Sequence, residues 1–223
     1  TAIAFVLALL MVFLRIQEPD KRNNDFVKII KIVANKFARF YIFVIRGTPM
    51  MVQSLIFYYA IFNLFKRTGM SVTEINRVWS LFISGLVTVS LNSTAYLAEV
   101  LRGGILAVDA GQMEAARSLG MTHWQAMRRV VFPQAIKNSL PAIGNEFIIN
   151  IKDSSVLCVL GVSDLMFMTR SVAGIYYKGT ECYLIAATVY LFLTYLSSLL
   201  LKAITGKMTA PDNTKRRQGN QTV

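Results

Sequence analysis

The sequence is poor in the residues that build metal centres, disulfide frameworks and hydrolytic sites. It has one histidine, His123, and two cysteines, Cys158 and Cys182, among 223 residues. A structural zinc site draws four ligands from cysteine and histidine, and a disulfide framework needs more cysteines at regular spacing. We therefore expect no metal site and no cysteine scaffold, and we find no nucleophile set beside a general base. The chain is not expected to be an enzyme.

Charged residues are also scarce. They make up 16% of the chain, whereas hydrophobic residues make up 54%; soluble domains average about 25% charged residues. Three segments, residues 47–65, 78–98 and 183–201, carry no charge over 19, 21 and 19 residues. A helix needs about 20 apolar residues to cross the hydrocarbon core of a bilayer. The sequence therefore predicts an all-α, polytopic membrane protein and not a membrane barrel, whose strands would alternate.

About five membrane spans are predicted, and together they form one transmembrane domain over residues 1–201. Residues 1–14 are apolar but short for a crossing, so we expect the first span to be cut at its N-terminal end. Pro49 fits the first position of the second span, and Thr48 fits its cap. The fourth span is interrupted by polar residues, and residues 156–162 are a re-entrant candidate. The second, third and fifth predicted spans cover residues 49–65, 78–101 and 183–201, and the fourth begins near residue 138.

The 24 lysines and arginines are distributed unevenly between the two sides of the membrane. Two alternate loops and the tail carry 18 of them, and the other two loops carry 6. This positive-inside pattern places the loop at residues 103–137 and the tail at residues 202–223 in the cytoplasm. The tail is polar and expected to be disordered, and residues 17–46 are expected to contain an amphipathic helix at the membrane surface. Charge spread over membrane loops does not favour nucleic-acid binding.

The cytoplasmic loop has the sequence features of two short helices joined at a corner. Asp109 and Thr122 are predicted to begin the helices, each with a glutamine three residues later as in a capping box. Gly120 suits the left-handed turn after the first helix, and Pro133 is expected to end the second. From the residues alone, the loop is either a rigid projection that docks on a partner protein or an amphipathic element that lies on the bilayer.

The same loop carries a resemblance to a known family. Glu114, Ala115 and Ala116 are followed by Gly120 and, after twelve further residues, by Pro133. This spacing resembles the EAA loop of permease subunits in ATP-binding-cassette (ABC) importers. The segments RGTPMMVQ, AYLAEVLRGGI, VFPQAI and NEFIINIKDSS resemble the polar amino-acid branch of that family. The likeness covers most of the transmembrane domain.

The resemblance implies a type I importer fold in which the loop is a coupling helix in a groove of a cytoplasmic ATPase. The chain has no G-x-x-x-x-G-K-[ST] phosphate loop, so ATP and Mg²⁺ are expected on the ATPase dimer and no cofactor on this chain. The other expected partners are a second permease subunit, identical or different, a substrate-binding protein or fused binding domain, membrane lipid, and the amino acid itself. The predicted ATPase-coupling residues are Glu114, Ala115, Ala116, Gly120, Met121, His123 and Trp124.

Acidic residues within the predicted spans are candidate substrate ligands, because a charge at mid-membrane costs on the order of 2.5–3.5 kcal/mol. Glu146 and Asp153 lie two turns apart on one face of a continuous helix and could hold an α-ammonium or a cationic side chain. Pairing with Lys152 is the alternative. Glu99 is instead expected to form an ion pair with Arg102, one turn away.

Three uncharged polar residues, Asn92, Tyr96 and Asn145, complete the candidate substrate site, with hydrogen bonding between helices as the alternative for each. Together with the resemblance, the sequence predicts a permease subunit in the cytoplasmic membrane that moves a polar amino acid by alternating access driven by a separate ATPase, and the two acidic residues favour a cationic amino acid. An ion-gradient-driven secondary transporter is the first rival, because an interrupted span suits that class too. A membrane regulator that uses the loop for docking is the second.

Overall fold

The computed structural model describes residues 1–16 and 24–209 of the chain. Over these residues every regular element is helical, which confirms the predicted all-α class. The elements are α1 (Ala2–Ile16), α2 (Asp25–Gly47), α3 (Met50–Arg67), α4 (Val72–Val78), α5 (Leu81–Leu106), α6 (Ala110–Ser118), α7 (His123–Ala126), a π-helical turn (Met127–Val131), α8 (Phe132–Asp153), a 3₁₀ helix (Ser154–Leu160), α9 (Leu165–Tyr176) and α10 (Gly179–Thr209).

Helix α5 is the centre of the molecule and packs against α1, α2, α3 and α8. Its buried positions are mostly small residues, which let neighbouring helices approach closely in a membrane. At Gly104, an added Cβ would lie 1.9 Å from Ser139 Oγ and 2.7 Å from the Ala135 carbonyl oxygen. A residue larger than glycine therefore does not fit where α5 meets α8.

Helix α1 packs one narrow face onto α5. Ala4, Ala8 and Val12 recur every four residues and are at most 2% exposed, as expected for a single stripe on a helix. The other faces of α1 leave large apolar side chains such as Val6 and Phe13 exposed. Such faces suit contact with lipid or with another membrane helix.

The five predicted spans fall on α1, α3, α5, α8 and α10, and two of these helices meet the requirements for a crossing on their own. Helix α5 and the first 28 residues of α10 are each long and apolar enough to cross a membrane. Two bent pairs pass the same test as units: α2 with α3, bent by 112°, and the helix that begins with α7 together with α9, bent by 53°. Helix α1 is a shorter apolar helix. The described residues therefore contain two crossings, or up to four if each bent pair is one span.

The junction between α2 and α3 differs from the prediction. Pro49 immediately precedes α3 and is not its first residue, and the Thr48 hydroxyl donates to the Val44 carbonyl oxygen at 2.8 Å instead of capping α3. The Gln53 side chain, 5% exposed, donates to the Ile45 carbonyl oxygen at 2.7 Å. The sharp bend leaves carbonyl groups at the end of α2 without helical partners, and these side chains satisfy them.

The prediction that Pro133 ends the second loop helix is wrong. Helix α7, the π-helical turn and α8 form one continuous helix, so the helix that contains the fourth predicted span begins in the loop. The Phe132 N–H bonds to the Met127 carbonyl oxygen, five residues back. A proline has no N–H to donate, and a widened turn of this kind accommodates one inside a helix.

The segment after α8 and the segments near the two ends of the chain are also helical where the structure describes them. The predicted re-entrant piece lies mostly in the 3₁₀ helix, which follows α8 directly and ends at Gly161 with φ 92°. The predicted amphipathic helix is α2, whose Ala38, Ile42 and Ile45 are buried. Helix α10 continues to residue 209, so the first part of the predicted tail is helical. Residues 17–23 and 210–223 lie outside the described residues.

Candidate functional site

The first corner of the loop at residues 103–137 is a complete helix-termination motif. Gly120 has φ +84°, a left-handed conformation that glycine adopts without a steric penalty. The Met121 N–H donates to the Ala116 carbonyl oxygen at 3.2 Å, and the Gly120 N–H donates to the Arg117 carbonyl oxygen at 3.0 Å. These two bonds are those of a Schellman motif. The role predicted for Gly120 at the corner is therefore confirmed.

The two predicted capping boxes had different outcomes. Thr122 and Gln125 form the complete box at the start of α7, with side-chain to backbone distances of 3.2 and 2.8 Å. At the start of α6, Asp109 accepts the Gly111 N–H at 2.7 Å, as a capping residue does. Gln112 does not close that box: its Oε1 accepts a hydrogen bond from Gln134 of α8. The capping box predicted for α6 is therefore incomplete, because the Gln112 side chain bonds to Gln134, 22 residues later.

The loop presents a compact exposed surface. Glu114, Ala115 and His123 are exposed, whereas Ala116 is only 4% exposed and faces inward. Leu119 is 81% exposed, although the sequence reasoning did not select it. The sequence did contain a signal for Leu119: it is an apolar residue at the end of a polar helix, directly before the corner glycine. Clusters of exposed apolar side chains mark interaction sites.

Trp124 joins this surface to the first span. Its ring meets the Phe13 ring of α1 edge-on, with centroids 5.8 Å apart, and the indole is still 55% exposed. Met121, at the corner, is half-buried. The loop is thus fixed to the helical bundle at Trp124 while most of its predicted coupling residues remain open to a partner.

The predicted substrate residues fall into two groups. Asn92 of α5 donates to Gln53 Oε1 of α3 at 3.0 Å, so its amide links two helices. Asn145 is exposed on α8. A similar link joins α5 to α8, because the Ser93 hydroxyl donates to Asn150 Oδ1 at 2.7 Å. The Asn92 bond is thus the contact between helices that was the alternative to a substrate role, and the Ser93–Asn150 bond is a second contact of the same kind.

Arg46, which the sequence reasoning did not select, interacts with two of the other three residues, Tyr96 and Glu146. The Arg46 guanidinium lies over the Tyr96 ring, 5.2 Å from its centroid, a cation–π contact. Glu146 is half-buried and interacts electrostatically with both Arg46 and Asp153. Asp153 is exposed and also interacts with its neighbour Lys152. Arg46 belongs to the segment RGTP, but spacing along the chain does not indicate that it lies near Tyr96 and Glu146, which are 50 and 100 residues later.

A cleft of about 530 Å³ opens beside this cluster, between α1, α2 and α5. Its arginines are Arg15, Arg39 and Arg46, and its one acidic residue is Glu99. Glu99 forms the predicted ion pair with Arg102 at 2.9 Å and a second ion pair with Arg15. Since Glu99 is already shared by two arginines, the cleft is strongly positive on its α2 side. It is lined by Arg15, Arg39, Ile42, Phe43, Arg46, Gly47, Tyr96 and Glu99.

The chain is similar to permease proteins of several bacteria. It is 34% identical to the glutamine transport system permease protein GlnP of Escherichia coli (strain K12) over 176 residues, which cover 79% of this chain and 76% of that protein. It is 37% identical to the probable amino-acid permease protein YxeN of Bacillus subtilis (strain 168) over 182 residues, 82% of this chain and 78% of that protein.

A solved structure gives the same result. A crystal structure of an amino acid ABC transporter with histidines superimposes with a TM-score of 0.74 and 40% sequence identity, over 92% of this chain and 86% of that one. These comparisons confirm the resemblance drawn from the EAA spacing. Residues 29–210 match the family described as "Binding-protein-dependent transport system inner membrane component", and the chain belongs to this family.

Proposed function

We propose that this chain is the membrane-spanning permease subunit of an ABC importer that carries a polar amino acid across the cytoplasmic membrane. A separate ATPase dimer binds ATP and Mg²⁺, a second permease subunit completes the pathway, and a substrate-binding protein or fused domain delivers the amino acid from outside. The loop and the C-terminus face the cytoplasm, as the distribution of lysine and arginine favours.

One observation carries the proposal: the exposed loop is rigidly continuous with a membrane-crossing helix. Two capped helices meet at a Schellman corner, and the second of them runs without interruption through the π-helical turn into α8. A displacement of α6 by an ATPase therefore moves α8 directly. An ion-driven transporter has no need of such an element, and a docking-only regulator has no need of its continuity with a span.

The cluster around Arg46 supplies the chemistry for an amino acid. A guanidinium offers paired N–H donors that match a carboxylate, and Arg46 is held by Tyr96 near Glu146. The carboxylates of Glu146 and Asp153 suit an α-ammonium group or a cationic side chain. The proposed site therefore binds the substrate carboxylate at Arg46 and its ammonium at Glu146. A second carboxylate, Asp153, on the same helix as Glu146 favours a cationic amino acid over an acidic one.

The central experiment is transport by the complete complex. The permease, its ATPase and its binding protein are reconstituted in liposomes, and uptake of radiolabelled glutamine, arginine, histidine and glutamate is measured with and without ATP. We expect saturable uptake that requires ATP and the ATPase. Uptake driven by a proton or sodium gradient without the ATPase would support the secondary transporter instead.

Arg46→Gln tests the substrate site, with Arg39→Gln as the matched control. Both arginines are exposed on α2 and line the same cleft, seven residues apart, but Arg46 alone of the two stacks on Tyr96 in the described structure. Loss of a hydrogen bond to a charged group costs about 1.5–3 kcal/mol, or about 10- to 100-fold. We expect the KM for uptake to rise by that factor in Arg46→Gln and by less than about threefold in Arg39→Gln. Equal effects would place the carboxylate elsewhere.

A further inference from the structure

Helix α6, which carries Glu114, is joined to the membrane-crossing helix α8 in three ways. A covalent connection runs through the corner at Gly120 and the helix that follows it, and α6 also packs against the π-helical turn. The third connection is a side chain, Gln134, in the first turn of α8. Its Nε2 donates to Gln112 Oε1 of α6 at 3.2 Å and to the Val130 carbonyl oxygen at 3.0 Å. One amide group thus bonds to both arms of the loop.

The place of this bond in the helix is unusual. Val130 lies in the π-helical turn that directly precedes α8. The Gln134 amide therefore bonds to α6 and to this turn at the same time.

Helix α6 is held by the corner, by its packing against the π-helical turn and by the hydrogen bond between Gln112 and Gln134. The Schellman corner holds the end of α6, but Gln112 lies in the first turn of that helix, about 12 Å from the corner along the helix axis. The hydrogen bond from Gln134 connects this far end of α6 to the start of α8. The angle between α6 and α8 is then set at both ends of α6.

We infer that Gln134 is a positioning residue for energy coupling: its bridge to Gln112 and Val130 holds α6 at a fixed angle to α8, so that movement of α6 by the ATPase reaches the substrate-bearing helix. This inference rests on the proposed function. Gln134 contacts neither the substrate candidates nor the exposed Glu114–Ala115 surface in this arrangement; it acts through α6. Without the bridge, the ATPase would bind and hydrolyse ATP, but α6 would pivot and less of its movement would reach α8.

The test measures uptake and ATP hydrolysis together in proteoliposomes that contain the complete complex. Gln134→Met keeps an unbranched, helix-favouring side chain and removes both hydrogen bonds. We expect substrate moved per ATP hydrolysed to fall about fivefold, the factor that one net hydrogen bond carries, while the yield of assembled complex stays the same. Asn138→Ala, at an exposed position one turn further along α8, is the control and is expected to leave the ratio unchanged.

Two further variants separate positioning from simple stability. Gln112→Met removes only the bond between the helices, and the double variant Gln112→Met/Gln134→Met should be no worse than the more affected single variant, because the two residues share one contact. Gln134→Glu can keep the bond to α6, since the Gln112 amide can donate to a carboxylate, but it loses the bond to the Val130 carbonyl, so it should retain more coupling than Gln134→Met. A ratio that is unchanged in Gln134→Met, or uptake and ATPase that fall in parallel with complex yield, would overturn the inference. Absence of ATP-dependent uptake in the wild-type complex would overturn the proposed function itself and would be seen before any variant is made.

Discussion

Arg15 at the end of α1 forms an ion pair with Glu99 of α5, a residue 84 positions later in the chain. Glu99 also accepts a hydrogen bond from Arg102 Nε at 2.9 Å, so one carboxylate holds two guanidinium groups. The Arg15 and Glu99 side chains are 21% and 18% exposed. The bridge fastens α1 to the central helix at the border of the arginine-lined cleft.

Glu99→Gln is expected to loosen α1 from α5. The substitution keeps the shape of the side chain but leaves two partly buried arginines without a carboxylate, and hydrogen bonds to charged groups contribute about 1.5–3 kcal/mol each before screening by solvent. We predict a loss of about 1–3 kcal/mol in unfolding free energy, measured in detergent by thermal unfolding. Glu181→Gln, exposed in the first turn of α10, should leave stability unchanged. Equal stability of both variants would show that the bridge contributes nothing.

Gly104 and its neighbour Gly103 offer a matched pair for the contact between α5 and α8. An added Cβ at Gly104 would collide with α8, whereas one at Gly103 meets nothing within 4 Å. Gly104→Ala should therefore destabilise the fold by about 1–3 kcal/mol through overpacking, while Gly103→Ala should be neutral or stabilising by up to about 1 kcal/mol. Thermal unfolding of the two variants side by side is the measurement. A neutral Gly104→Ala would mean that the helices are further apart than described.

Gly120 can be tested without crowding, because nothing lies within 4 Å of a Cβ added there. A β-branched residue in this left-handed conformation is strained, and left-handed backbone costs about 1–2 kcal/mol. Gly120→Val should reduce substrate uptake per ATP by about fivefold or more. Gly120→Asn is the control, since asparagine tolerates the conformation, and it should retain near-normal coupling. Unaltered uptake in Gly120→Val, with the complex assembled, would show that the corner does not transmit force.

Glu146→Gln and Asp153→Asn test whether the two carboxylates contact substrate. If they bind its ammonium or cationic group, each amide should raise the KM for uptake by about tenfold, since a charge-assisted hydrogen bond is lost. Glu146 should have the larger effect, because it is half-buried and close to Arg46, whereas Asp153 is exposed. Uptake and substrate-stimulated ATPase are the measurements. Values equal to wild type in both variants would remove these residues from the site.

The residues that could be predicted are those whose role depends on near neighbours in the chain. Gly120 and Thr122 were placed correctly because a left-handed turn and a capping box involve residues at most a few positions apart. The uncharged spans were recognised because the bilayer imposes a minimum apolar length. The Glu99–Arg102 ion pair followed from the spacing of one helical turn.

Two of the sequence predictions failed because of distant contacts, and one failed because of a local change of helix type. Gln112 was expected to cap its own helix, but Gln134, 22 residues later, takes its side chain. Pro133 was expected to end a helix, but the π-helical turn before it allows the helix to continue. Arg46 was missed because its contact with Tyr96 joins two helices 50 residues apart. Sequence spacing alone does not show which faces of two helices will meet.

By itself, the sequence determined that the chain crosses a membrane as helices, which loop carries the family motif, and where that loop turns. These properties follow from apolar length and from hydrogen bonds within a few residues of each other. Only the tertiary structure decided that the loop continues unbroken into α8 and that Arg46, Tyr96 and Glu146 gather at one place. Packing around the small residues of α5 sets the positions of the other helices, and those positions decide which distant side chains meet.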